Sequence, residues 1–454
     1  MDTAISNSAG IRDIAYHLHS QSNPRHHEQQ DPFVVVRGDG AYVFDNKGKR
    51  YIDAMAGLWC ASLGFNDKRL AAAAARQYER LGFNHTFYSR TSDVTTDLAE
   101  KLVSMTGMRD GKTYFATSGS EANETMVKFA WMYHAARGNP RKRKVISRDK
   151  GFHGSSIVAA SMCGLEAMHN NFGLPLDGFI KTLCPDGYRV RRRGEDDAAF
   201  VARLVDELEQ LIVREGADTI AAFIAEPVIA GGGIIPPPAG YFEAVQMVLE
   251  RHDILCLDDE IVCGFGRTGN WFGHETVGMR PDMMSMAKGL TASYFPMSAV
   301  VMSRKIYEVI ADSGWLGHGF TYSGHPVGAA IALEAISIYE EMAIVEHVRR
   351  VGERLRSGLE RIGAQSSIVG DVRGVGLMYG VELVADPVAG TPFDPALQVG
   401  QQFQALAREN GLITRCMRDT VGFSPPLIIG DGEVDDMLER FSATLGAIEA
   451  RVSK

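Results

Sequence analysis

Between about residues 60 and 325, apolar segments of two periods alternate along the chain. Leu204, Leu208, Leu211 and Ile212 recur at helical spacing and predict a helix near 199–215, and the unbroken run Ile220-Ala221-Ala222-Phe223-Ile224 predicts a strand. A helix near 240–251 and a strand at 254–257 repeat the pair. Short apolar strands alternating with amphipathic helices predict an α/β fold whose mostly parallel sheet is covered on both faces. Ligands of such sheets gather beyond the carboxyl ends of the strands, and Asp259 stands at one such end. Earlier in the chain, Phe33–Val36 and Ala41–Phe44 flank Gly38-Asp39-Gly40, and Asn46-Lys47-Gly48 turns into Tyr51-Ile52, so residues 33–54 predict a small antiparallel sheet. Beyond 326 the pattern changes to helices near 326–341 and 344–362, short strands at Leu377–Leu383, 412–414 and Val421–Ser424, and a last helix near 432–452. The expected division is a large domain over 60–325 and a smaller α+β domain built from 1–59 and 326–454.

Composition narrows the class. A chain of 454 residues exceeds one ordinary core, and 45% hydrophobic with 23% charged residues describes a folded globular protein. The balance of 47 basic and 56 acidic residues gives a net charge of −9, which offers no general attraction to nucleic acid or anionic membrane. The basic runs Arg141–Lys144 and Arg189–Arg193 read as solvated loops. Six cysteines are scattered without C-x-x-C spacing, against a zinc site and a disulfide framework. No apolar stretch reaches membrane-spanning length and the polar N-terminus lacks a signal-peptide core, so the cytoplasm is the expected location. His17, His19, His26 and His27 cluster near the N-terminus with no H-E-x-x-H; they read as an exposed lead segment, with metal binding the lesser alternative, and no metal site is expected.

The candidate chemistry begins at Lys288, an ammonium set in the apolar run Met283–Leu290. It is either a snorkelling surface lysine or a desolvated amine able to condense with a carbonyl. Asp259 and Glu260 close the apolar run Ile254–Leu257 upstream. A buried amine with a strand-end acid is what pyridoxal phosphate requires, the amine to bind its aldehyde and the acid to keep its ring nitrogen protonated. Thr117-Ser118-Gly119-Ser120-Glu121 opens an amphipathic helix whose stripe is Met126, Val127, Ala130 and Trp131. Ser118 and Glu121 have capping-box spacing, and the free N–H groups of such a start make an anion site or simply a capped helix. No lysine follows at P-loop spacing. Gly264-Phe265-Gly266-Arg267-Thr268-Gly269 matches a dinucleotide fingerprint, but the preceding Asp258-Asp259-Glu260 would repel a pyrophosphate, and Asn270–Gly273 does not start a helix. It reads as a turn-rich loop.

With Asp259–Gly269 beside Ser118–Ala122, and Ser285-Met286-Ala287-Lys288-Gly289 as a third block, the chain resembles the class III pyridoxal-phosphate-dependent aminotransferases over essentially its whole length. The resemblance implies fold type I: a large domain with a mostly parallel seven-stranded sheet, a small α+β domain from both termini, and a homodimer with interfacial sites, whether or not dimers pair into tetramers. It implies that Lys288 holds the cofactor and shuttles a proton, and that Asp259 pairs with the ring nitrogen. Phe152 and Ile261 would cover the two ring faces, Phe152 where many relatives carry tyrosine. Ser118, Gly119 and Ser120 would hold the phosphate, His153 and Glu226 would join the cofactor set, and Thr321 would reach the phosphate from the partner subunit.

Arg415 matches an arginine that takes the keto acid's carboxylate, for which a planar fork is suited; a surface arginine after a strand is the alternative. In the ornithine and 4-aminobutyrate branch a glutamate pairs with that arginine, and Gly231 stands in its place here, which disfavours 2-oxoglutarate. Leu58, Trp59, Phe87 and Tyr88 resemble the aromatic wall of the branch that uses pyruvate with ω-amino acids or simple amines; ordinary core is their other reading. The expected reaction moves an amino group from a primary amine or ω-amino acid to pyruvate. The rival readings are an aminomutase or decarboxylating transaminase on the same scaffold, a PLP-binding regulator without catalysis and, last, an NAD oxidoreductase.

Overall fold

The computed structural model describes residues 8–452; the first seven residues of the predicted lead segment and the last two of the C-terminal part lie outside the described residues. Three strands near the N-terminus, β1 (Val35–Asp39), β2 (Tyr42–Asp45) and β3 (Arg50–Asp53), form the antiparallel meander that the turn residues predict. Seven strands follow in the central region: β4 (Lys112–Ala116), β5 (Lys144–Arg148), β6 (Phe179–Thr182), β7 (Ile220–Ala225), β8 (Leu255–Asp259), β9 (Met283–Met286) and β10 (Ser298–Met302). They make one sheet in the order β4-β10-β9-β8-β7-β5-β6. All neighbours are parallel except β10, which runs antiparallel to both β9 and β4. This is the mixed α/β, mostly parallel seven-stranded architecture expected of fold type I.

Every residue of β7, β8, β9 and β10 is buried, which is why their sequences read as apolar runs and not as alternations. Alternation survives as a choice of face. Leu255 and Leu257 pack with the helices Gly119–Ala136 and Arg304–Asp312, whereas Cys256 packs with the helices Asp197–Glu215 and Tyr241–Arg251. The Asp197–Glu215 helix shows how sequence fixes such an element. Asp196 caps it by accepting the Ala199 N–H, and Gly216 ends it at φ 84°. Phe200, Leu204, Leu208, Leu211 and Ile212 form its buried stripe, each contributing about 2 kcal/mol by leaving water.

The remaining strands are β11 (Val369–Val375), β12 (Met378–Leu383), β13 (Leu412–Ile413), β14 (Arg415–Met417) and β15 (Thr420–Phe423). β13 joins the N-terminal sheet, parallel to β3, and the other four form a separate sheet ordered β11-β12-β15-β14. The chain therefore changes sheets at Thr414, whose hydroxyl donates to the Gly422 carbonyl at 2.6 Å. β11, β14 and the helix Val399–Glu409 do not stand out in the sequence. β11 is an edge strand with only Val369 fully buried, and β14 has no buried residue, so neither carries an apolar signal. Among the described residues no helix is long and apolar enough to cross a membrane.

Candidate active site

The carboxyl end of β8 carries the acid. Asp259 is 2% exposed and shares the face of Leu257, which turns it toward the Gly119–Ala136 helix. Its Oδ2 accepts from Asn123 Nδ2 at 2.8 Å and pairs with His153 Nδ1 at 2.8 Å, while Oδ1 accepts the Ile261 N–H at 3.2 Å. Asn123 is itself held, donating to the His153 carbonyl at 2.7 Å and accepting from Ser285 Oγ at 2.7 Å. Three donors around one buried carboxylate fix its rotamer through charge-assisted hydrogen bonds. His153 thus meets Asp259 and orients it; it was expected in the cofactor set. Asn123 and Ser285 were missed as site residues. The available signal was a fully buried asparagine on the otherwise apolar stripe of Ala122, Met126 and Val127.

Lys288 follows the fully buried β9 and sits at φ 43°, a conformation that costs a lysine free energy. Burial pushes its ammonium pKa below the ordinary lysine value. Asp259 and Glu226 oppose that shift as unbonded charges, and Arg415 adds to it. The amine is partly open to solvent and within electrostatic reach of Asp259, Glu226, Cys60 and Arg415.

A helix start such as that of Gly119–Ala136 can hold an anion. Ser118 caps it, accepting the Glu121 N–H at 3.2 Å. Glu121 does not complete the predicted capping box. Its carboxylate accepts instead from the Thr117 N–H at 2.7 Å and the Thr117 hydroxyl at 2.6 Å, because one residue further back it meets two donors instead of one. A Cβ at Gly119 would stand 2.7 Å from Ile261 Cδ1, so a larger residue there would make the Ile261 side chain shift. Ser120 Oγ accepts the Ser155 N–H at 3.0 Å, which ties the Phe152–Ser155 segment to the same turn.

Phe152 and Ile261 are both half-buried. Glu226, 3% exposed, accepts the Phe152 N–H at 3.0 Å and the Ala230 N–H at 2.9 Å. Both its oxygens serve backbone, so Glu226 pins two loops. Burial pushes its carboxyl pKa up. Gly231 lies against Phe152, where a Cβ would come within 3.3 Å of Phe152 Cβ.

The expected substrate wall divides. Leu58 is 64% exposed, but Trp59 is 4% exposed and packs with Met55, Val228, Ala230, Ile234, Cys263 and Met378. The Ala56–Trp59 turn, with Gly57 at φ 66°, directs Trp59 into that cluster. Phe87 and Tyr88 are exposed, Tyr88 beside Trp315 with ring centroids 6.4 Å apart, and a Cβ at Gly319 would fall 2.5 Å from Phe87 Cζ. Their contacts are to the segment carrying the exposed Thr321, not to Lys288 and Asp259. Just before Thr321, His318 reaches back to the phosphate helix. Its Nε2 lies 2.9 Å from Thr125 Oγ1 and its Nδ1 2.8 Å from Lys128 Nζ, and burial with the lysine charge holds its pKa down at about 4. Arg415, the first residue of β14, is exposed, has no carboxylate partner among the described residues, and has its pKa lowered by partial burial alone.

These groups fit pyridoxal phosphate by their chemistry: donors at a helix start for the phosphate, a buried oriented acid for the ring nitrogen, and an unpaired amine for the aldehyde. The family model "Aminotransferase class-III" matches residues 24–445. A chloroplastic gamma aminobutyrate transaminase 3 of Solanum lycopersicum is 42% identical over all of this chain and 89% of its own length. A mitochondrial gamma-aminobutyrate transaminase 1 of Oryza sativa subsp. indica is 44% identical over 93% of this chain and 83% of its own. Among solved structures, an omega transaminase from Pseudomonas jessenii in complex with PMP superposes at TM-score 0.96 with 45% identity, covering 98% of this chain and 99% of that one. A PMP-bound aminotransferase from Vibrio fluvialis superposes at 0.96 with 42% identity over the same shares. PMP is the aminated form of pyridoxal phosphate. Fold, site chemistry and full-length similarity agree that this chain belongs to the class III aminotransferases and is a pyridoxal-phosphate-dependent transaminase.

Proposed function

We propose that the chain transfers an amino group from a primary amine or ω-amino acid to pyruvate, releasing an aldehyde or ketone and alanine. The carrying observation is the pair formed by Lys288, an amine with depressed basicity and no bonded acid, and Arg415, an exposed guanidinium without a carboxylate partner among the described residues. Bound pyridoxal phosphate supplies an aldehyde that accepts the amino group and a ring that draws electrons from the bonds of the substrate carbon. Lys288 Nζ would hold it and, once displaced, carry the proton from the amine-bearing carbon. Asp259, oriented by His153 and Asn123, would face the ring nitrogen. Ser118, Gly119 and Ser120 would hold the phosphate, with Phe152 and Ile261 on the ring faces and Glu226 steadying Phe152. Thr321 would complete the phosphate site of a partner subunit, so the working unit is a homodimer, alone or paired into a tetramer.

Arg415 would take the carboxylate of pyruvate, and Gly231, crowded against Phe152, leaves it without the glutamate that other branches supply. The aromatic group of Phe87 and Tyr88 supports uncharged donor tails. In the Pseudomonas jessenii enzyme, a variant engineered for bulky amines changes a tryptophan, a phenylalanine and an arginine. A second reading, an ω-amino acid donor such as 4-aminobutyrate, is favoured by the names of the plant relatives; there the same Arg415 would receive the donor's carboxylate in one half-reaction and the acceptor's in the other.

The test is a half-reaction. Cofactor-loaded protein is mixed separately with 1-phenylethylamine and with 4-aminobutyrate, no acceptor present, while the bound cofactor's absorbance is followed. Conversion by the amine supports the first reading and conversion by 4-aminobutyrate alone the second. Restoration of the starting spectrum by 2-oxoglutarate but not by pyruvate refutes the acceptor.

A further inference from the structure

Far from Lys288 in sequence, the fold gathers a cluster of side chains of metal-ligating types. Asp13 lies on the helix Ala9–Tyr16, His17 at its end, His19 just beyond, and His27 on the short helix Pro24–His27. The chain folds back so that three imidazoles converge on one carboxylate: His17 Nδ1 at 3.0 Å from Asp13 Oδ1, and His19 Nε2 at 2.8 Å and His27 Nε2 at 3.1 Å from Oδ2. The rings of His17 and His19, and of His19 and His27, are tilted at 44° with centroids 4.2 Å apart. His26, the fourth histidine of the cluster, turns away toward Gln30 Nε2 at 2.8 Å.

We propose that Asp13, His17, His19 and His27 form a binding site for a borderline transition-metal ion, of which Zn²⁺ is the reference case. Three nitrogen ligands and one carboxylate suit zinc, copper or nickel and do not suit calcium or magnesium. Ligand atoms of a four-coordinate zinc site with bonds of about 2.0–2.1 Å lie roughly 3.3 Å from one another. The ligand atoms of Asp13, His17 and His19 already lie within 4.8 Å of one another, and His27 reaches the same carboxylate oxygen as His19. The fit needs the side chains to draw in by about 1 Å and a change of tautomer. A neutral imidazole can carry its proton on either nitrogen, so moving it to the outer one turns all three inward nitrogens from donors into lone-pair ligands.

Without the ion, one carboxylate must satisfy three rings. A divalent ion removes that conflict and ties the Ala9–Tyr16 helix to the Pro24–His27 turn. Access is open, since His17 is 65% and His19 35% exposed, while His27 at 18% and Asp13 at 22% are sheltered enough to be held in place. The segment touches the large domain through Gln21 Nε2 and Met168 Sδ at 3.5 Å, so the ion would brace the chain's lead segment rather than take part in transamination.

The test uses the full-length, untagged, cofactor-loaded protein after chelator treatment. Titration with Co²⁺ should give a visible absorption band saturating at one ion per chain, which Zn²⁺ then displaces. In His19→Gln and in His27→Gln the band should be lost and Zn²⁺ affinity by calorimetry should fall at least tenfold, with turnover and melting in metal-free buffer as in the parent. No saturable uptake, or a band that persists in either variant, overturns the site.

Discussion

The last two residues of β8 meet opposite surroundings. Asp259 is surrounded by Asn123, His153 and the Ile261 N–H on the face of the phosphate helix, and it lies within reach of Lys288. Asp258, fully buried on the opposite face, has no hydrogen bond to either oxygen; its nearest opposite charge is His274 Nδ1 at 3.5 Å. Glu260, also fully buried, accepts the Gly273 and His274 N–H groups at 2.9 and 2.7 Å and lies 3.3 Å from His274 Nδ1. On this closed side burial, then repulsion from Glu260, pushes the Asp258 carboxyl pKa well up. Burial alone would lower the His274 pKa, but its contact with Glu260 and the close charge of Asp258 outweigh it and hold it up at about 10. Two adjacent acids thus have different tasks. One is fully oriented on the side of Lys288; the other is locked in a charge cluster that the fold must neutralise internally.

The sharpest break of that contrast is at the amine the open side serves. Lys288→Ala is expected to lower turnover by about 10³-fold or more and to remove the cofactor's covalent attachment, read by absorbance and by mass after reduction. Near-normal steady-state rates would refute its role. Next, Asp259→Asn should cost on the order of 10²-fold in kcat, whereas Asp258→Asn should leave kcat near that of the parent and change only stability. Equal losses from the two would mean that the faces do not divide the labour as described. Arg415→Ala should raise KM for the keto acid about tenfold or more while sparing the half-reaction of an uncharged amine; equal losses in both would make it structural.

The smallest effect tests the closed side by pH. His274 has a folded-state pKa raised above the unfolded value of about 6.5, so its stabilisation is complete below that pH and is lost as pH rises through about 10. Melting temperature should therefore fall between about pH 7 and 10. His274→Gln should cost about 3 kcal/mol near pH 7, by leaving two buried acids without their cation, and should flatten that decline. An unchanged slope would show that the cluster does not carry it.

Much of the architecture was legible in the sequence. Runs such as Ile220–Ile224 and Met283–Met286 are too apolar to be anything but doubly covered, and Leu204, Leu208, Leu211 and Ile212 keep a helical period. Lys288 and Asp259 stood out because charge at the end of such a run is costly unless used. Asn123 and Ser285 were not legible because a polar residue on a buried face shows its purpose only when its partners are known. The burial of Trp59 was not legible because an aromatic residue in a glycine-containing turn can take either direction, and the backbone at Gly57 sets it. β14 was invisible because it lacks buried side chains, although it determines where Arg415 stands.

Local periodicity and residue chemistry, which depend on a few neighbouring positions, therefore determined the α/β class, the family resemblance and the acid–amine pair. Tertiary structure decided what depends on distant partners meeting: that alternation along β8 puts Asp259 on the face of the Gly119–Ala136 helix and Asp258 on the opposite one, that the chain changes sheets at Thr414, and that histidines just beyond one short helix and on the next share Asp13. A sequence records which groups are present, but which of them share a space is set by packing across the whole chain.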